Sequence, residues 1–113
     1  MTTSLRRQAF DVEAASARQA LAIGDLGTAF HHLERAHVLG QPWAGAHSWA
    51  HWMMLRIGLR RGDWREVRGQ VIRLAAGGLL SKLGRLPAGN TGGANVPAEK
   101  PMPVPPDLAD LCR

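Results

Sequence analysis

The sequence has one cysteine, no tyrosine and two phenylalanines. A lone cysteine excludes an internal disulfide framework and a cysteine-based zinc finger. No stretch approaches the ~20 consecutive apolar residues that span a bilayer. Proline is nearly missing from the first three quarters of the chain: between residues 5 and 83 only Pro42 is found. Lysine is scarce as well, Lys82 and Lys100 being the two that accompany twelve arginines. With alanine and glycine abundant, that arginine bias reads as the codon habit of a GC-rich genome. The net charge of +5 is therefore a weak pointer to nucleic acid, although a basic surface attracts acidic partners. Gln8, Asp11 and Glu13 follow Arg6-Arg7 where a secretory signal would have an apolar core. The expectation is a reduced, cytoplasmic, soluble protein with no membrane partner. Its 113 residues suit one small domain and are too few for a barrel or a doubly wound sheet.

Two regimes divide the chain. Residues 1–83 carry helical periodicity, and residues 84–113 hold six of the seven prolines. The fold class expected is all-α: about four helices in two antiparallel hairpins, with an extended Gly/Pro-rich tail packed on the same domain. The first helix should run from about Ser4 to Ile23, with Phe10, Val12, Ala17, Ala20 and Leu21 as its apolar positions. A second, about 26–39, repeats apolar residues at Leu26, Ala29, Phe30, Leu33, Ala36 and Leu39. Gly40-Gln41-Pro42 ends it, and a third covers about 44–61. A fourth spans about 64–76 with Trp64, Val67, Val71, Ile72 and Leu74 apolar, and Leu79, Leu80 and Leu83 continue beyond Gly77-Gly78. Gly24-Asp25 and Gly62-Asp63 each end one helix and cap the next. In the tail, Gly89-Asn90-Thr91-Gly92-Gly93 reads as a turn, and Pro101 to Pro106 as extended chain.

The two Gly-Asp breaks stand 38 residues apart, the spacing of an α-hairpin repeat. Gly24-Asp25-Leu26-Gly27-Thr28-Ala29-Phe30, followed by Ala36, resembles the second helix of a tetratricopeptide repeat. Gly62-Asp63-Trp64-Arg65-Glu66-Val67 resembles the same place in a second unit. The resemblance implies helical hairpins; two units would form little concave surface. Leu33-Glu34-Arg35-Ala36-His37-Val38-Leu39-Gly40-Gln41, Gly89-Asn90-Thr91-Gly92-Gly93 and Pro101-Met102-Pro103 resemble an uncharacterised family of short bacterial proteins. That second resemblance spans nearly the whole chain and implies no activity.

All five histidines lie between positions 31 and 51. His37 is five residues before Pro42 and His47 five after it, so an antiparallel pair of helices sets them face to face. Glu34 and His37 are spaced i, i+3; His47 and His51 are spaced i, i+4. Each pair therefore projects from one helix face, and packed helices stand roughly 8–10 Å apart. Glu34, His37, His47 and His51 are the candidate metal ligands. Three imidazoles and a carboxylate suit Zn²⁺ first among divalent transition metals, then Ni²⁺, Cu²⁺ or Fe²⁺. Carboxylate-bridged dinuclear bundles need Glu-x-x-His twice plus two further glutamates, which this chain does not supply, so a mononuclear site is expected. Such a site should lose metal below roughly pH 6.5 as imidazoles protonate. The competing reading makes these histidines hydrogen-bonded core residues.

Around the four ligands, Glu66 is a candidate partner orienting a histidine ring from the fourth helix, where it forms an i, i+4 pair with Gln70. His31 is a reserve ligand and, like His32, is expected in solvent. Met102 and Cys112 are soft donors that a folded-back tail could offer to copper. Trp43, Trp49, Trp52 and Trp64 should build core or, with Met53 and Met54, a homodimer or protein-partner surface. Arg56, Arg60, Arg61, Arg65, Arg68 and Arg73 form a basic stripe, but no recognition-helix pattern accompanies it, which argues against a nucleic-acid partner. Neither a catalytic residue nor an organic cofactor site can be assigned. The function expected is a small metal-binding protein. The alternative is a helical-repeat interaction module without metal, and the third a metal-dependent hydrolase if a coordination position stays open.

Overall fold

A computed structural model describes residues 2–82, 92–96 and 101–112. These residues are all-helical, without a strand. The helices are α1 (Thr2–Ala22), α2 (Leu26–Gly40), α3 (Ala44–Arg61) and α4 (Trp64–Lys82), followed by a 3-10 helix at Pro106–Cys112. Leu83 and the expected turn residues Gly89-Asn90-Thr91 fall outside the described residues. No described helix is long and apolar enough to cross a membrane.

Both Gly-Asp breaks work by the same chemistry. Gly24 and Gly62 adopt φ of +78° and +67°, the left-handed conformation in which a side chain would be strained. Gly62 N–H then caps α3 by donating to the carbonyls of Gly58 and Leu59. The aspartate that follows accepts the next helix's orphan donors: Asp25 from Thr28 N at 3.2 Å and Asp63 from Glu66 N at 3.1 Å. The fourth helix, expected to about residue 76, continues through Gly77-Gly78 to Lys82. Glycine weakens a helix interior by ~1 kcal/mol but ends a helix only where the left-handed turn is taken.

α1 packs on α2, α2 on α3, and α3 on α4; the 3-10 helix rests against α1 and α2. The core is built mainly of small and aliphatic residues. One cluster joins Ala17, Ala20, Ala29, Leu33, Met53, Met54 and Ile57; a second joins Phe10, Ala14, Ala36, Leu39, Ala46 and Leu108. Val12 departs from expectation at 64% exposed, because the buried stripe of α1 is Phe10, Ala14, Ala17 and Ala20, and position 12 lies across the helix from it. The tryptophans divide: Trp64 and Trp52 are exposed, whereas half-buried Trp49 packs against both clusters and Trp43 against the second. Val71 and Ile72 also face outward, since α4 has only α3 to pack on among the described helices. The tail is not purely extended: Pro106–Cys112 winds into the 3-10 helix, and its Leu108 inserts into the second cluster.

Candidate metal centre

α2 and α3 meet across the Gly40–Trp43 turn, which is closed by Trp43 N–H donating to the Gly40 carbonyl at 3.0 Å. A Cβ at Gly40 would sit 3.0 Å from the Phe10 ring and 3.2 Å from Ala46 Cβ. Glycine thus permits the close approach that brings His37 against the first turns of α3. There His37, His47 and His51 converge. Their Nε2 atoms form a triangle: His37 to His47 3.0 Å, His37 to His51 3.1 Å and His47 to His51 3.2 Å. The three residues are 3%, 6% and 4% exposed. Sequence spacing had set these histidines on facing helices, and the fold brings their ring nitrogens together.

Hydrogen bonding decides the tautomer of His51. Gln70, on α4 and fully buried, donates through Nε2 to Glu66 Oε2 at 2.6 Å and to the Gly92 carbonyl at 2.8 Å. Both partners are acceptors, so that end of the amide is the nitrogen. Its Oε1 lies 2.6 Å from His51 Nδ1, which must therefore carry the proton. His51 Nε2 is left with a lone pair aimed at the other two rings. Burial lowers the pKa of His47, and burial above all, against the Gln70 hydrogen bond, lowers that of His51 to about 4. These two imidazoles are neutral at pH 7, the form that binds metal.

Three Nε2 atoms in mutual contact are poorly served by protons alone. With the His51 proton on Nδ1, at most two Nε2 protons remain for three close contacts. A cation that accepts all three lone pairs satisfies the three Nε2 atoms at once. With metal–nitrogen bonds of 2.0–2.1 Å, an ion would stand only ~1 Å off the plane of the triangle.

The segment 92–96 closes over this group. Gly92 is buried at φ +83°, and a Cβ there would come 2.6 Å from His37 Cδ2 and 2.8 Å from its Nε2. Arg73 holds the segment by donating to the carbonyls of Gly92, Gly93 and Val96. Glu66 Oε2 accepts from Ala94 N at 2.9 Å. Arg73 is thus half-buried against carbonyls, unlike the exposed Arg56, Arg60, Arg61, Arg65 and Arg68 of the expected stripe.

The other candidates lie elsewhere. Glu34 is half-buried and outside the three-histidine group; burial, reinforced by the nearby charge of Glu66 and opposed by His31, raises its carboxyl pKa. Glu66 reaches His51 only through Gln70. Gln70 was legible in sequence as a polar residue in the stripe Val67-Gln70-Leu74, but its direct contact with His51 was not expected. His31 is exposed. His32, expected in solvent, is half-buried and lies with Nδ1 2.7 Å from Glu13 Oε2. Cys112 packs on the second core cluster, where burial pushes its thiol pKa up.

The described residues thus make an all-helical protein with a buried three-histidine cluster. The chain belongs to the family described as Protein of unknown function (DUF3703), whose model matches residues 4–112. No curated protein and no solved structure matches it.

Proposed function

We propose that the chain is a small metal-binding protein that holds one transition-metal ion on Nε2 of His37, His47 and His51. The observation that carries this reading is the triangle of ring nitrogens at 3.0–3.2 Å, with the proton of His51 drawn away to Gln70. Imidazole donors suit Zn²⁺ first, and also Ni, Cu or Fe. For a dication, Glu34 is the proposed fourth ligand, one helical turn before His37. In this reading the protein is cytoplasmic. Its four helices act as two tetratricopeptide-like hairpins spanning residues 1–83, and residues 84–113 fold back on the same domain.

The test is elemental analysis of untagged protein purified without chelator, with thermal melts in the presence and absence of each metal. About one ion per chain, a raised Tm and loss of both in His47→Ala are expected. If wild type and His47→Ala bind metal alike, the site is wrong.

A second reading, an interaction module without metal, is favoured by a groove of about 500 Å³ between α1 and α3. Trp49, Trp52, Arg18, Arg56 and Arg60 line it. Its test is partner capture that survives His47→Ala and fails in Trp52→Ala/Arg56→Ala.

A further inference from the structure

Two helices look into one trough. On α3, Trp49, Trp52, Met53, Arg56 and Arg60 recur at i, i+3, i+4, i+7 and i+11 and so share one side of the helix. Arg18, Leu21 and Ala22 share a side of α1 in the same way. Together they line the groove of about 500 Å³. A second hollow of about 360 Å³ continues it toward Arg7 and Gly45, and Arg18 and Trp49 line both. From Arg7 to Ala22, and from Gly45 to Arg60, each helix rises roughly 22 Å. A track of that length suits a stretch of chain better than a compact small molecule.

The lining is one-sided in charge. The wider hollow presents three guanidiniums and no carboxylate. Arg18 lies over the Trp49 ring, 4.7 Å from its centroid. Arg56 Nη1 stands 3.7 Å from the Met53 sulfur, and Arg60 donates to the Leu21 carbonyl at 3.3 Å. All three are exposed, and none meets a carboxylate among the described residues. Arg7, at the far end of the track, differs in having Asp11 at 3.5 Å. An unpaired guanidinium is a planar fork that takes a carboxylate by two hydrogen bonds.

Between the arginines the surface is apolar. Trp49 is half-buried and Trp52 is 51% exposed, beside the adaptable thioether of Met53. Neither hollow is lined by a hydroxyl or amide side chain that would read a base edge. A concave trough also meets a flat bilayer poorly. The net charge of +5 draws acidic partners and disfavours a second copy of the chain.

Resting on the interaction reading of this groove, and whether or not the histidines hold metal, we propose that α1 and α3 dock an acidic amphipathic segment of another protein. Its carboxylates pair with Arg18, Arg56 and Arg60. An aliphatic or aromatic side chain between them packs on Trp49 and Trp52.

The experiment selects random displayed peptides of about twelve residues, long enough to run most of the track as a helix, against the immobilised full chain. Affinities of the selected peptides are then measured by fluorescence anisotropy. Enrichment of aspartate and glutamate around an apolar anchor is expected. Trp52→Ala should weaken these peptides ~10-fold or more. Arg56→Ala/Arg60→Ala should do the same and flatten the salt dependence. Arg65→Ala/Arg68→Ala removes equal charge from α4, outside the groove, and should change nothing. All five side chains are exposed, and circular dichroism checks that each variant folds. Peptides that need the groove but carry no acidic enrichment overturn the acidic occupant and keep the interaction reading. No binder, or binders indifferent to both groove variants, overturns the docking reading as well. Retention on phosphatidylserine vesicles or on single-stranded RNA, lost in the groove variants while no peptide is selected, overturns the proposal in favour of that surface. A dimer in sedimentation, lost in the same variants, overturns it in favour of a second copy.

Discussion

Two polar centres tie distant parts of this chain together, and they do so by opposite chemistry. At the centre between α2, α3 and α4, His37, His47, His51 and Gln70 are buried, and burial disfavours the charged forms of His47 and His51. At the second centre, Glu13 of α1 meets Arg35 and His32 of α2 at 2.7 Å each. Arg35 then reaches Asp107 of the tail at 2.5 and 3.2 Å. That second centre is charged and lies nearer the surface, with Asp107 62% exposed. Water screens Asp107 in one, but Glu13 there is itself buried. What separates the centres is the partner: a guanidinium supports a buried charge at Glu13, whereas His51 meets a neutral amide.

The largest expected effect separates the centres outright. His51→Ala should abolish stoichiometric metal binding while Arg35→Ala leaves it at one ion per chain, measured by elemental analysis. If Arg35→Ala also loses the metal, the two centres are not independent. Next comes pH. His51 titrates near 4 in the fold and near 6.5 when unfolded, so the unfolded chain binds the extra proton first. Stability is therefore present above pH 6.5 and lost as pH falls toward 4, by about 3 kcal/mol for the metal-free protein. Denaturant melts across that window should show the loss, and His51→Gln should flatten it. Metal should for the same reason persist below pH 6.5, the value at which ordinary imidazoles would release it.

Gly92→Ala is expected to cost about 1–3 kcal/mol, because φ +83° and contact with the His37 ring both oppose a methyl group. It should also weaken metal binding; a melt and an affinity like wild type would show that segment 92–96 does not bear on the site. Arg35→Ala should cost about 2 kcal/mol and diminish in high salt. Asp107→Asn should have the smallest effect, a slight loss of stability that salt erases.

The elements with local causes were legible in the sequence. Asp25 and Asp63 cap their helices, Gly24 and Gly62 turn the chain, and Ala29, Leu33 and Ala36 mark a buried stripe. The spacing of His37, His47 and His51 was legible too, because a short turn between two helices relates residues on either side of it by simple counting. Counting puts Glu34 one turn before His37, and the convergence of the three ring nitrogens does not include its carboxylate. Val12, Val71 and Ile72 are apolar yet exposed for a different reason. Hydrophobicity says what a residue would gain from burial, and only the neighbouring helices say which side is covered.

Sequence alone determined the helices, their breaks and the facing of three histidines across one turn, because hydrogen bonding along a helix and the period of 3.6 residues act locally. Tertiary structure decided the rest. It brought Gln70 to His51 across 19 positions, laid Gly92 on the His37 ring, and set Asp107 on Arg35 across 72. Those contacts follow from how closely α4 and the tail pack, a balance of burial and chain entropy summed over the whole fold that no local pattern encodes.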